Sequence, residues 1–102
     1  MESKCFYCGT SLENIQVHID HFIPWSYIYE DEIWNLVQAC SNCNLVKSDS
    51  LAPKQCIQKI VARNEDHQLL KWNRDIVEYY ENCYKAGFNI INTEKLHCLS
   101  VI

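Results

Sequence analysis

The sequence predicts a small α+β domain held together by a structural zinc ion. Three observations carry that expectation. Four cysteines fall in two Cys-x-x-Cys pairs, Cys5/Cys8 and Cys40/Cys43. Residues 15–20 alternate apolar and polar side chains, the period of a strand. The second half of the chain repeats apolar residues every three to four positions, the period of a helix. With 102 residues there is room for one domain with a modest core, so an added staple is expected.

The elements follow in order. Cys5-Phe6-Tyr7-Cys8-Gly9 forms a tight knuckle whose backbone amides can turn toward the sulfurs, and Cys40-Ser41-Asn42-Cys43 forms the second. Four thiolates in two such pairs close a tetrahedral Zn²⁺ site with no open position, so the metal is structural. Four unrelated reduced cysteines are the plain alternative. Ile15, Val17 and Ile19 share one side of a strand, with Gln16, His18 and Asp20 on the other. Pro24 blocks its extension, so the strand ends near His21. Residues 25–35 read as an aromatic, packed loop, and Leu36 to Ala39 as the returning strand. Asn44 to Ser48 is compatible with a short helix.

Pro53 suits the first turn of another helix, with Ile57, Ile60 and Val61 on its apolar face. A longer helix is expected over roughly Glu65 to Lys85. Leu69, Trp72, Ile76, Tyr80 and Cys83 line it and Gly87 stops it. Residues 88–102 suit a strand or a short helix after Thr93. Cys56, Cys83 and Cys98 lack paired spacing and read as buried small hydrophobes. The expected organisation is one domain in two parts, residues 1–52 and a helical extension over 53–102 packed on them.

Composition narrows the function. A hydrophobic share of 48% argues against disorder. No apolar run reaches transmembrane length, and Met1-Glu2-Ser3-Lys4 opens no signal-peptide core. The odd cysteine count and the paired spacing favour intracellular zinc over a disulfide framework, so the expected location is cytoplasmic. A net charge of −4 is low for a nucleic-acid-binding chain. The charge is uneven, though. Between residues 47 and 74 lie Lys47, Lys54, Lys59, Arg63, Lys71 and Arg74 against Asp49, Glu65 and Asp66. Such a patch, with a divalent cation, could hold a phosphate backbone weakly.

The stretch from His18 to Lys47 carries residues suited to phosphodiester hydrolysis. That reaction needs a base to activate water and a hard cation to offset charge in the transition state. His21 can be the base, because an imidazole titrates near working pH. Asp20 offers an oxygen ligand suited to Mg²⁺, and Asn44 a second one from the helix. Asn35 can accept a hydrogen bond from the far nitrogen of His21 and so fix its tautomer. Lys47, one turn from Asn44, can meet a phosphate oxygen. His18 shares a strand face with Asp20 and is a candidate contact to substrate or metal. Each has a blander reading: a surface Asp-His pair, a helix-capping Asn44, a solvated Lys47. Their combination within the cysteine frame favours the site.

Asp20-His21-Phe22-Ile23-Pro24, then Asn35-Leu36-Val37, then Cys40-Ser41-Asn42-Cys43-Asn44-Leu45-Val46-Lys47 resembles the HNH endonucleases, the zinc-containing branch of the ββα-metal (His-Me) finger nucleases. The resemblance runs from Cys5 to about Pro53. It implies a ββα-metal finger with a four-cysteine zinc site, buttressed here by C-terminal helices, that cuts DNA with one divalent metal and leaves 3′-hydroxyl and 5′-phosphate ends. Carried over, His21 is the general base and Asn35 orients it. Asp20 and Asn44 hold the catalytic Mg²⁺ or Mn²⁺, and Cys5, Cys8, Cys40 and Cys43 hold zinc. Lys47 and His18 are the candidate substrate contacts. Two departures stand out. Asn44 occupies a place that many zinc-containing members fill with His, which makes this an HNN-type variant and favours a hard cation. The run Trp25-Ser26-Tyr27-Ile28-Tyr29-Glu30-Asp31-Glu32 fills a loop that often begins Gly-Gly.

Because one finger cuts one strand, a double-strand break would require a homodimer or two visits. Two rivals remain open at this level. One is a non-catalytic zinc module that binds nucleic acid or protein. The other is a nuclease module of a larger restriction or phage-defence effector complex.

Overall fold

The alternation that begins at Ile15 becomes a strand only at His18. In the computed structural model, which describes residues 3–67 and 73–96, strand β1 spans His18–His21 and strand β2 spans Leu36–Ala39. They pair antiparallel, His18 opposite Ala39 and His21 opposite Leu36. The return strand lies where the sequence placed it. The apolar side of β1 points outward, however, and Ile19 is 58% exposed. Ile15 and Val17 precede the strand and are exposed as well. A two-stranded sheet here has one covered face, and helix α2 covers the face of His18 and Asp20.

Pro24 does end the strand, and its fixed φ leads into a single helical turn, α1, over Trp25–Ile28. The sequence had suggested a loop there. Tyr29 then takes a left-handed conformation, φ 56°, which turns the chain back toward β1. A 3-10 turn over Ile33–Asn35 delivers the chain into β2.

Helix α2, Ser41–Lys47, starts earlier than the Asn44 boundary that the sequence suggested. The reason is a sulfur cap. Cys40 occupies the N-cap, and its Sγ accepts the backbone N–H of Cys43 at 3.5 Å. The same residue thus caps the helix and belongs to the cysteine quartet. Strand, strand and helix make a ββα unit that contacts a C-terminal helix bundle.

That bundle is α3, Gln55–Asp66, and α4, Asn73–Lys85, packed on one another. Pro53 accepts from Cys56 N–H just before α3. Glu65 and Asp66 finish α3 rather than starting the next helix, and His67 is a turn residue. Leu69 and Trp72, expected on the second helix, lie outside the described residues. α4 buries Ile76, Tyr80 and Cys83, one stripe at helical spacing. Gly87, φ 106°, stops it as expected, with the Phe88 N–H reaching back to Cys83 O. Ile90 then forms an isolated parallel bridge with Leu51, and residues 93–95 turn. Cys56 is buried and disulfide-bonded, not the lone thiol suggested by its spacing. No helix among the described residues is long and apolar enough to cross a membrane.

The two halves share one core. Trp34 stacks on Tyr79 at 5.6 Å, and Phe22 lies against Tyr80 at 6.1 Å. Tyr80 donates its hydroxyl to Ala52 O. From α3, Arg63 donates to Leu36 O at 2.6 Å and Trp34 O at 3.0 Å, while Asn64 donates to Trp34 O at 3.1 Å. These bonds satisfy backbone carbonyls at the entrance to β2.

Candidate active site

The two cysteine knuckles meet. The sulfurs of Cys5, Cys8, Cys40 and Cys43 all lie within 4.8 Å of one another, Cys8 and Cys40 at 3.9 Å. Tetrahedral Zn–S bonds of about 2.3 Å would set sulfurs about 3.8 Å apart, so this quartet has the dimensions of a structural zinc site. Gly9, φ 78°, makes the turn that lets its own N–H return to Cys5 O. Burial pushes the Cys5 thiol up, but the backbone amides of Cys8, Cys40 and Tyr7 outweigh it and bring it down to about 7. Burial, then the neighbouring sulfurs, push Cys43 far up. Four thiolates so close repel one another, and a divalent cation removes that conflict. Lys59 of α3 adds positive charge nearby. It donates to Phe6 O and lies 5.1 Å from the Phe6 ring centre.

The second cluster lies between β1 and α2. Strand residues two apart share a face, as do helix residues three apart, so His18 and Asp20 meet Asn44 and Lys47. His18 Nδ1 is 3.5 Å from Asn44 Nδ2. Asp20 Oδ2 is 3.1 Å from Lys47 Nζ and also accepts from the Tyr7 hydroxyl. Burial first, then the Asp20 carboxylate, hold Tyr7 well above the usual phenol range, so it remains a donor. Lys47 is fully buried and gives a further bond to His21 O at 2.7 Å. It is therefore not the surface cation suggested by sequence. Burial pulls its ammonium down, against the pull of Asp20.

His21 points away from that seam. Its Nε2 is 2.6 Å from Asp31 Oδ1. Asn35 does not reach the ring. Its side chain is wholly buried and closes two bonds on the backbone of Ile23, accepting from Ile23 N–H at 2.7 Å and donating to Ile23 O at 3.0 Å. Phe22 N–H adds a third link to Asn35 O. Asn35 thus fixes the backbone just after His21, by a latch that the sequence had assigned to the imidazole. Of the expected basic patch, Lys47 is buried, the half-buried Lys59 and Arg63 donate to backbone carbonyls, and Lys54 is exposed; Lys71 and the Arg74 side chain lie outside the described residues.

A family model for HNH endonucleases matches residues 5–53. This segment belongs to that family. No curated protein and no solved structure matches the chain. The HNH segment contains both clusters, and its ββα unit and cysteine quartet have the form of a ββα-metal finger with a structural zinc site.

The family also implies a second, divalent cation, and the donor chemistry suits one. Asp20 carries its two contacts on Oδ2, so Oδ1 can serve as a ligand oxygen, and Asn44 offers an amide oxygen from α2. His18 Nε2 is buried with no hydrogen-bond partner among the described residues, so the seam retains one polar atom for a ligand to satisfy. Sequence reasoning missed Tyr7, Asp31 and Arg63. Tyr7 lies inside the first knuckle, where cysteine spacing draws the eye. Arg63 lies beyond the HNH segment. Only the acidic run Glu30-Asp31-Glu32 hinted at a carboxylate near His21.

Proposed function

We propose that the HNH segment is a working nuclease, a metal-dependent endonuclease that hydrolyses phosphodiester bonds with DNA as substrate. The placement of His21 beside Asp20 at the end of β1, with Asn44 facing that strand from α2, carries this reading. His21 takes the proton from the attacking water. Asp20 and Asn44 would hold Mg²⁺ or Mn²⁺, which would supply positive charge for the scissile phosphate and the leaving oxygen. His18 accepts from the Asn44 amide on Nδ1, so its partnerless Nε2 carries the proton and donates to a phosphate oxygen. Lys47 keeps the Asp20 carboxylate and the His21 carbonyl in fixed relation. Asn35 holds the backbone after the base, and the cysteine quartet anchors the start of α2.

The test is cleavage of single- and double-stranded DNA by zinc-loaded protein with EDTA, Mg²⁺ and Mn²⁺ arms. Cutting should require the divalent ion, and His21→Ala should lose about 10²-fold or more while keeping fold and zinc. Equal cutting by His21→Ala would refute the assignment of the base. The net charge of −4 and the engagement of Lys47, Lys59 and Arg63 with backbone carbonyls favour one rival, a zinc module that binds a partner without cutting. Binding without divalent-dependent nicking would select it. A homodimer or a larger phage-defence effector would supply the second cut or the target recognition.

A further inference from the structure

The geometry points to Asp31 as the positioning residue of the general base, fixing His21 with its Nε2 as donor and its Nδ1 as the free acceptor. The inference rests on the nuclease reading above, in which His21 is the base. It gives a role to the loop that departs from the family pattern.

The contact is made by loop architecture. Residues 23 and 35 are clamped together by the Asn35 latch and by Phe22 N–H on Asn35 O. The chain between them must therefore leave and return to the same place. α1 carries it out, and the left-handed Tyr29 reverses it. Ser26 donates to the Asp49 carboxylate at 2.6–2.7 Å, and Tyr27 packs edge-on against Phe88 at 5.8 Å, so the outward arm is tied down. The return arm then brings Asp31 onto His21 at 2.6 Å, ten residues downstream in sequence.

The chemistry is selective. A carboxylate can only accept, so the bond requires the proton on Nε2. Neutral imidazole has one donor and one acceptor nitrogen, and Nδ1 is left with the lone pair that a base needs. The Asp31 side chain is 74% exposed and that of His21 25% exposed. An exposed pair of this kind adds little to stability. Its consequence is the tautomer and orientation of the ring.

The experiment uses full-length zinc-loaded protein carrying ¹⁵N-histidine. Two-bond ¹H–¹⁵N spectra report which ring nitrogen of neutral His21 bears the proton, with His21→Asn assigning the signal. The parent should show Nε2–H. Asp31→Ala should give mixed tautomers, and kcat for DNA nicking should fall about tenfold or more with KM unchanged. Asp31→Asn retains an accepting oxygen and should restore the tautomer and much of the rate. A proton on Nδ1 in the parent overturns the proposal without any variant. Unchanged tautomer and kcat in Asp31→Ala overturn it while leaving the nuclease reading intact. A parent that cuts nothing with Mg²⁺ or Mn²⁺ removes the nuclease reading, and Asp31's part in a reaction with it.

Discussion

Lys47 and Asp20 form an ion pair between sheet and helix, Nζ to Oδ2 at 3.1 Å, with the lysine side chain entirely out of water. Such a pair is weak support for stability as a whole, but breaking it from one side is costly. Lys47→Met would leave the carboxylate with Tyr7 alone and the His21 carbonyl without its donor. We expect a loss of about 3–5 kcal/mol in chemical denaturation. Lys47→Met with Asp20→Asn should recover much of it, because the amide carries no uncompensated charge. Equal stability of Lys47→Met and parent would mean that the pair is open to water in solution.

Asn35 closes the loop by two bonds to one residue. Asn35→Ala would strand the buried Ile23 N–H and carbonyl, at about 1–3 kcal/mol for each. Hydrogen exchange at Ile23 should accelerate, and cutting should fall because the strand exit loosens. Asn35→Asp preserves the acceptor but sets an oxygen against Ile23 O, so it should rescue poorly. Unaltered protection of Ile23 in Asn35→Ala would show that the Phe22–Asn35 backbone bond suffices.

The zinc quartet was legible because its signal is spacing, and spacing survives folding. β2 and the stop at Gly87 were legible for similar local reasons. The direction of β1 was not. Alternation identifies two faces but not which one is covered, and here α2 covers the polar one, so Ile19 is outside and Asp20 inside. Lys47 followed from the same ambiguity: a lysine one turn from Asn44 reads as surface charge until a carboxylate is found beneath it. The Asn35 latch acts on backbone atoms, which leave no mark in a sequence, and Asp31 reaches His21 only through the reversal at Tyr29.

Removing one zinc ligand should unmake the HNH segment. Cys40 and Cys43 begin α2, whereas Cys5 and Cys8 hold the N-terminal turn, so an ion held by all four would join the exit of β2 to the N-terminal turn. Metal analysis of parent protein should find about one tightly held Zn²⁺ per chain. Cys43→Ser should be zinc-depleted and lose helical signal. Acidification should release the ion, because thiolate ligands compete with protons and affinity falls as pH falls. Soluble, folded, zinc-free parent would contradict the site.

The last expectation concerns α3, which lies beyond the family-matched segment. Arg63 forks onto Leu36 O and Trp34 O, and Asn64 reaches Trp34 O as well. Those carbonyls flank Asn35, whose side chain latches Ile23, two residues past His21. Trp34 itself is covered by Tyr79 of α4. The HNH segment therefore depends on two helices that its motif does not contain. A chain cut after Pro53 retains all four zinc ligands yet exposes Trp34 and Phe22, so it should show no cooperative unfolding. In the full chain, Arg63→Ala should cost about 2–3 kcal/mol, as hydrogen bonds from a charged donor do. Arg63→Lys should recover only part, because an ammonium lacks the planar fork that spans both carbonyls. If a fragment ending at Pro53 folds cooperatively with zinc and cuts DNA at the parent rate, α3 is only a covering helix and the clamp has no part in the site.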